Sequence, residues 1–88
     1  MAMNVDVVST TAALWTGEAS SVVVPAANGS MGILTGHEPV LSLLQPGTVR
    51  ITPTSGSQVE VEVSEGFVSV DNNAVTVVVE SGTPADAK

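Results

Sequence analysis

Cysteine is absent from the 88-residue sequence, and its absence excludes both a disulfide framework and a thiolate metal site. A chain without disulfides is typical of the cytosol. His37 is the single histidine, and the carboxylates are scattered along the chain. No group of residues has the spacing of metal ligands, so we expect neither a metal centre nor a cofactor.

Basic residues are almost as scarce. Arg50 and Lys88 stand against nine acids, which gives a formal net charge of −7. Such a surface repels phosphate backbones and anionic lipid, so we expect no nucleic-acid partner and no direct membrane adhesion. A lipoyl or biotinyl carrier would present a lysine on a hairpin, whereas the only lysine is the last residue. The two aromatic residues, Trp15 and Phe67, are too few to form a stacking platform for bases.

Long apolar runs are also missing. The longest run extends from Val22 to Ala27 and contains Pro25. This run is far too short to cross a bilayer. The N-terminus has neither a basic region nor an apolar run, so we expect no signal peptide. Any association with a membrane would have to come through a partner.

Alternation of valine with polar residues is the strongest positive pattern. In QVEVEV (58–63), three valines alternate with a glutamine and two glutamates, as in a half-buried antiparallel strand. No window of a dozen residues has helical periodicity, and EPVLSLL (38–44) reads as strand or loop. Further strand-like runs are NVDVV (4–8), TVRIT (48–52), GFVSV (66–70) and AVTVVV (74–79).

Turn-forming residues separate these runs, so the sequence predicts an all-β domain, either a small two-sheet β-sandwich or a flattened barrel. We place the domain at residues 1–82 and a flexible tail at 83–88. One hairpin is predicted in detail. If TVRIT and QVEVEV pair with their valines inward, Arg50 shares the outer face with Glu60 and Glu62.

The stretch GSMGILTGHEPVL (29–41) combines glycines with the only histidine, but its spacing fits neither a dinucleotide fingerprint nor a P-loop. His37 would need an oriented partner and a nucleophile to act as a base, and Glu38 points to the opposite face of an extended chain. We therefore expect no catalytic residues. The remaining interpretation is a binding or structural module, with an enzyme centred on His37 kept as a hypothesis to test.

The same stretch resembles the G-x-x-G-I-x-x-G-H-x-P-x-L motif of the epsilon subunit of F-type ATP synthases. Segments similar to other family motifs follow in the same order over nearly the whole chain. These segments are VDVVSTTAALWTGEASSVVVP (5–25), QPGTVRI (45–51), GFVSV (66–70) and NAVTVVVE (73–80).

This resemblance implies a β-sandwich of about ten short strands and a non-catalytic rotor subunit. The subunit would link gamma to the c-ring and help couple proton translocation to ATP synthesis, without a small-molecule substrate. It would lie peripherally at the cytoplasmic face of a bacterial membrane, held there by the ATP synthase. An uncovered valine-rich sheet face would dock gamma. The resemblance implies contact with the c-ring for Asn28, Gly29, Ser30, Met31, His37, Glu38 and Pro39.

The sequence departs from the family pattern at three places. Glu65 replaces the second glycine before the GFVSV strand, and Ser30 replaces an acidic residue often found in the first loop. No residues match the pair of C-terminal helices that many members have, so inhibition and ATP binding by those helices cannot be assigned. The alternative hypothesis is a freestanding acidic β-sandwich from an extracellular or capsid-like assembly.

Overall fold

A computed structural model describes residues 2–27, 29–36, 38–54 and 56–83, which form strands and turns without any helix. The predicted all-β class is confirmed. EPVLSLL contributes a strand, the first of the two options left open for it. The strands are β1 (Met3–Ser9), β2 (Ala13–Ala26), β3 (Gly29–Leu34), β4 (Val40–Leu44), β5 (Gly47–Pro53), β6 (Val59–Val63), β7 (Gly66–Asp71) and β8 (Ala74–Val79).

The strands pair in the order β1-β8-β7-β4-β2-β5-β6, and β3 pairs with β2. β1 also pairs with β2, so five of the strands form a closed circuit. β1 and β8 are parallel, and the other paired strands are antiparallel. The result is a sandwich-like sheet that folds back on itself, with overall extents of 31 × 29 × 20 Å.

β2 is the strand that joins the parts of this sheet. Its first half pairs with β1, and its second half pairs with β3 and β5. The register with β5 shifts between Ala19 and Ser21, as at a bulge, and bulges bend and twist a strand. The described residues form eight strands, fewer than the expected ten, and β2 alone extends over 14 residues.

Inward-facing valines fill the core because side chains alternate along every strand. Val7, Val77 and Val68 lie opposite one another on β1, β8 and β7, and each is fully buried. Val5 and Val75 repeat the arrangement two residues away. The described residues include no buried polar or charged side chain. The fold therefore depends on aliphatic burial and on strand hydrogen bonds.

The predicted hairpin between β5 and β6 is confirmed. Val49 lies opposite Val61, and both are fully buried. Arg50 lies opposite Glu60, and its Nε is 3.5 Å from the carboxylate oxygen Oε2 of Glu60. Glu62 is on the same outer face, where it accepts a hydrogen bond of 2.7 Å from the Thr48 hydroxyl.

The chain after β8 lies against the free edge of β6. Gly82 forms a bridge with Val63, and the Thr83 amide donates a 2.9 Å hydrogen bond to the Glu62 carbonyl. A side chain at Gly82 would come within 2.8 Å of that carbonyl oxygen, so the close approach requires glycine. Residues 84–88 lie outside the described residues, and the tail at 83–88 stays a prediction.

Candidate functional site

Four apolar side chains line up across the outer face of β1, β8, β7 and β4. Val8 is opposite Val78, Val78 is opposite Phe67, and Phe67 is opposite Leu43. We call these four residues the apolar row. All four side chains lie on the outer face, because side chains alternate along a strand and the neighbouring valines of β1, β7 and β8 are in the core.

The β4 end of the apolar row is markedly exposed. Leu43 is 69% exposed and Phe67 is 41% exposed, and Leu41, in the next outward position of β4, is 71% exposed. A shallow depression is lined by these three side chains and Ser42. Large apolar side chains in a contiguous exposed group are typical of a surface that another protein covers.

The sequence predicted an uncovered valine-rich face, and the structure corrects the residue type. The valines mostly fill the core, while two leucines and a phenylalanine form the exposed part of the face. The sequence feature that indicates this exposed face is VLSLL at residues 40–44. Its outward positions are Leu41 and Leu43, so this strand has no polar outer side, unlike the alternating strand at 59–63.

Polar rows border the apolar row on both sides. On one side, the Glu80 amide donates a 3.0 Å hydrogen bond to the Glu65 carbonyl, and both glutamates are exposed. On the other side, Asp6, Thr76 and Ser69 lie in register on β1, β8 and β7, and only on β4 does this row end in an apolar residue, Leu41.

At the start of β7, Glu65 can replace one glycine of the family's glycine pair, whereas Gly66 cannot be replaced. A Cβ on Gly66 would lie 2.0 Å from the Val78 carbonyl oxygen and 2.6 Å from the Val79 Cα. No side chain fits there. The Glu65 side chain is exposed instead, so this position accepts a residue other than glycine.

The first group of predicted contact residues lies at the start of β3. Gly29 has a φ of 119°, which glycine adopts readily. Ser30 is exposed and Met31 is partly exposed, and they pair with Pro25 and Val24 of β2. Beside this turn, the Ala27 amide donates a 3.0 Å hydrogen bond to the Leu43 carbonyl. Asn28 lies outside the described residues.

The second group follows the other end of β3. Gly36, with a φ of 87°, donates its amide to the Asn73 side-chain oxygen at 2.9 Å. This bond ties the loop to the β7–β8 turn, where Asn72 and Asn73 also have positive φ. Glu38 and Pro39 are both exposed. His37 lies outside the described residues.

The structure therefore does not bring the two groups together. β3 runs from Gly29 to Leu34, and an extended chain of that length spans about 17 Å. A partner that touches both groups would have to extend along β3. The open edge of β3 faces away from β2, its only sheet neighbour in the described part of the chain.

A search of the described residues for metal sites finds no group of three or more histidine, cysteine or acidic side chains arranged to hold an ion. The same part of the chain has no helix long and apolar enough to cross a membrane. In the part of the chain that the structure describes, Arg50 is the only lysine or arginine.

Residues 2–85 match the family described as ATP synthase, Delta/Epsilon chain, beta-sandwich domain. The chain belongs to this family. The delta/epsilon assignment identifies it as a homologue of a non-catalytic stalk subunit, in agreement with the predicted lack of enzyme activity.

Two epsilon chains illustrate the sequence similarity. The ATP synthase epsilon chain of Micrococcus luteus is 39% identical over 85 residues, which are 97% of this chain and 93% of that relative. The epsilon chain of Rhodococcus erythropolis is 42% identical over 84 residues, covering 94% of this chain and 69% of the relative. Other relatives are longer, and this chain covers 59% of the Bordetella parapertussis epsilon chain.

Chains in two solved structures share the fold. A chain in the mitochondrial ATP synthase of Euglena gracilis, in an assembly of OSCP, F1 and c-ring, matches with a TM-score of 0.87 at 20% identity. The match covers 94% of this chain and 53% of that one. A chain in the central stalk and c-ring of the Tetrahymena thermophila enzyme matches with a TM-score of 0.78 at 19% identity, covering 93% and 66%.

Proposed function

We propose that this protein is a rotor subunit of an F-type ATP synthase, which links the gamma subunit to the c-ring and helps couple proton translocation to ATP synthesis. Its role is mechanical, without chemistry of its own. The complex would hold it at the cytoplasmic face of a bacterial membrane. Membership of the delta/epsilon family favours this function over a freestanding extracellular or capsid-like module, and the exposed apolar row is the observation that carries it.

The apolar row is proposed as the gamma-docking surface. Interfaces have an apolar centre with aromatic side chains and a polar rim. Phe67 and Leu43 supply such a centre, and hydroxyl and carboxylate side chains surround it. Burying a large apolar side chain contributes about 1.5–3 kcal/mol before the costs of association are subtracted.

Co-purification with the gamma subunit from the same enzyme tests this docking surface. Leu43→Asp places a charge at the centre of the proposed interface, and its exposure allows the variant to fold. We expect this variant to lose gamma. Leu34→Asp is the matched control, because Leu34 is 61% exposed but lies on β3, outside the apolar row. Failure of the wild-type chain to retain gamma would refute the function.

Coupling is tested in inverted membrane vesicles that contain the assembled enzyme. If the subunit links gamma to the ring, Leu43→Asp should lower proton pumping per ATP hydrolysed. Gln58→Asp, which adds the same charge at an exposed position outside both the apolar row and β3, should pump like the wild type. Equal pumping by all three enzymes would separate docking from coupling and contradict the proposed role.

The c-ring contacts are proposed for the two groups at the ends of β3, together with Asn28 and His37. Because the chain has no cysteine, a single introduced thiol is unique. Ser30→Cys and Glu38→Cys, paired with cysteines in the c-subunit loop, should each form a disulfide in the assembled enzyme. Cross-linking by only one variant would restrict the contact to that end of β3, and cross-linking by neither would refute both contacts.

A further inference from the structure

We propose that the partner surface covering the apolar row carries lysine or arginine side chains that face Glu65 and Glu80, and that these charges accelerate docking. The proposal rests on the function above and specifies the chemistry of the partner at that site. It follows from the charges around the row, which are all of one sign in the described residues.

Glu65 and Glu80 are direct neighbours across the β7–β8 pair, one step beyond Gly66 and Val79. They line one depression with Phe67 and Val78 of the apolar row. Like charges directly opposite each other in a sheet are destabilising. The arrangement therefore has an electrostatic cost in the free protein, which a cation from a partner would relieve.

The other border of the apolar row is also acidic. Asp6 is in register with Thr76, next to the Val8–Val78 pair, and its carboxylate accepts a 2.6 Å hydrogen bond from Thr16. In the described part of the chain, Arg50 is the only lysine or arginine. It lies on β5, where it pairs with Glu60, so no such residue of β1, β4, β7 or β8 offsets these carboxylates.

Docking of an apolar partner onto the row would remove water from the depression that holds both glutamates. Carboxylates that lose water without gaining a partner are costly. A neutral or acidic rim on the partner would leave that cost in place, whereas a basic rim would offset it. Complementary rim charges also steer the encounter, and their effect appears mainly in the association rate and its salt dependence.

The test measures the association rate of the full chain with purified gamma subunit at increasing sodium chloride. Raising the salt from about 0.01 M to about 1 M shortens the screening length from about 30 Å to about 3 Å. We expect the wild-type rate to fall with salt. Glu65→Gln/Glu80→Gln should lower the rate about threefold to tenfold at low salt and flatten the dependence.

Glu60→Gln/Glu62→Gln is the matched control, since it removes the same number of charges from the hairpin outside the row. We expect a smaller effect on both rate and slope. An identical effect of the two double variants would mean that only net charge matters and would overturn the proposal, as would an unchanged slope in Glu65→Gln/Glu80→Gln. Absence of gamma binding by the wild type would instead refute the proposed function.

Discussion

Gly66 shows how one residue position limits the substitutions that this fold accepts. A Cβ there would overlap the backbone of β8, whereas a Cβ at Gly32 of β3 would meet nothing within 4 Å. Both glycines lie in strands, and neither has a positive φ. The steric environment, and not the loss of glycine itself, should decide the effect of a substitution.

We expect Gly66→Ala to lower the free energy of unfolding by about 3 kcal/mol or more, because backbone atoms cannot yield as a flexible side chain does. Gly32→Ala should change it by less than about 1 kcal/mol. Urea unfolding of the two variants measures both values. Similar stabilities for the two would contradict the steric account.

Asn73 combines two local roles. Its φ of 63° lies in the left-handed region, and its side-chain oxygen accepts the Gly36 amide. Asn72 shares the left-handed conformation, with a φ of 52°. Asn73→Ala should therefore be more destabilising than Asn72→Ala, by about 1 kcal/mol for the lost hydrogen bond. Thermal unfolding compares them, and an equal loss in both variants would show that the Gly36 link contributes nothing.

At the scale of elements, the β5–β6 hairpin separates burial from surface charge. Its inner valines are fully buried, and its outer Arg50–Glu60 pair has both side chains more than half exposed. An exposed ion pair of this kind contributes about 0–1 kcal/mol. The pair fixes the register in agreement with the valines, but the valines supply most of the stability.

We expect Val49→Ala to lower the free energy of unfolding by about 2 kcal/mol, because two buried methyl groups are lost. Arg50→Ala, one residue along, should lower it by less than about 1 kcal/mol. Denaturant unfolding at low and high salt measures both. A larger loss for Arg50→Ala would show that the ion pair is more important than its exposure indicates.

How well the sequence predicts a strand depends on whether its two faces differ in polarity. β6 was predicted because its outer residues are glutamates, which contrast with the inward valines. The sequence does not decide between strand and loop for β4, because its outward residues are leucines and no polar–apolar alternation marks the strand. β2 was not predicted as one long strand, since Gly17 and Pro25 interrupt the pattern and its two halves pair with different neighbours.

For the whole molecule, the sequence was sufficient for the all-β class because alternating valines determine which face is buried. The apolar row could not be predicted from one segment. Its four residues come from positions 8, 43, 67 and 78, and only the strand order brings them together. The resemblance implies two groups of contact residues at the ends of β3. Their separation by the length of an extended strand follows from the pairing of β3 with β2, which the sequence alone does not show.

Calorimetric titration of purified gamma subunit into the full chain measures whether the apolar row binds gamma, as proposed. Leu43→Ala/Phe67→Ala truncates the centre of the row, and Leu34→Ala truncates an exposed leucine outside it. We expect Kd to rise at least about thirtyfold for the double variant and less than about threefold for Leu34→Ala. Unchanged affinity of the double variant would show that gamma does not bind at the apolar row.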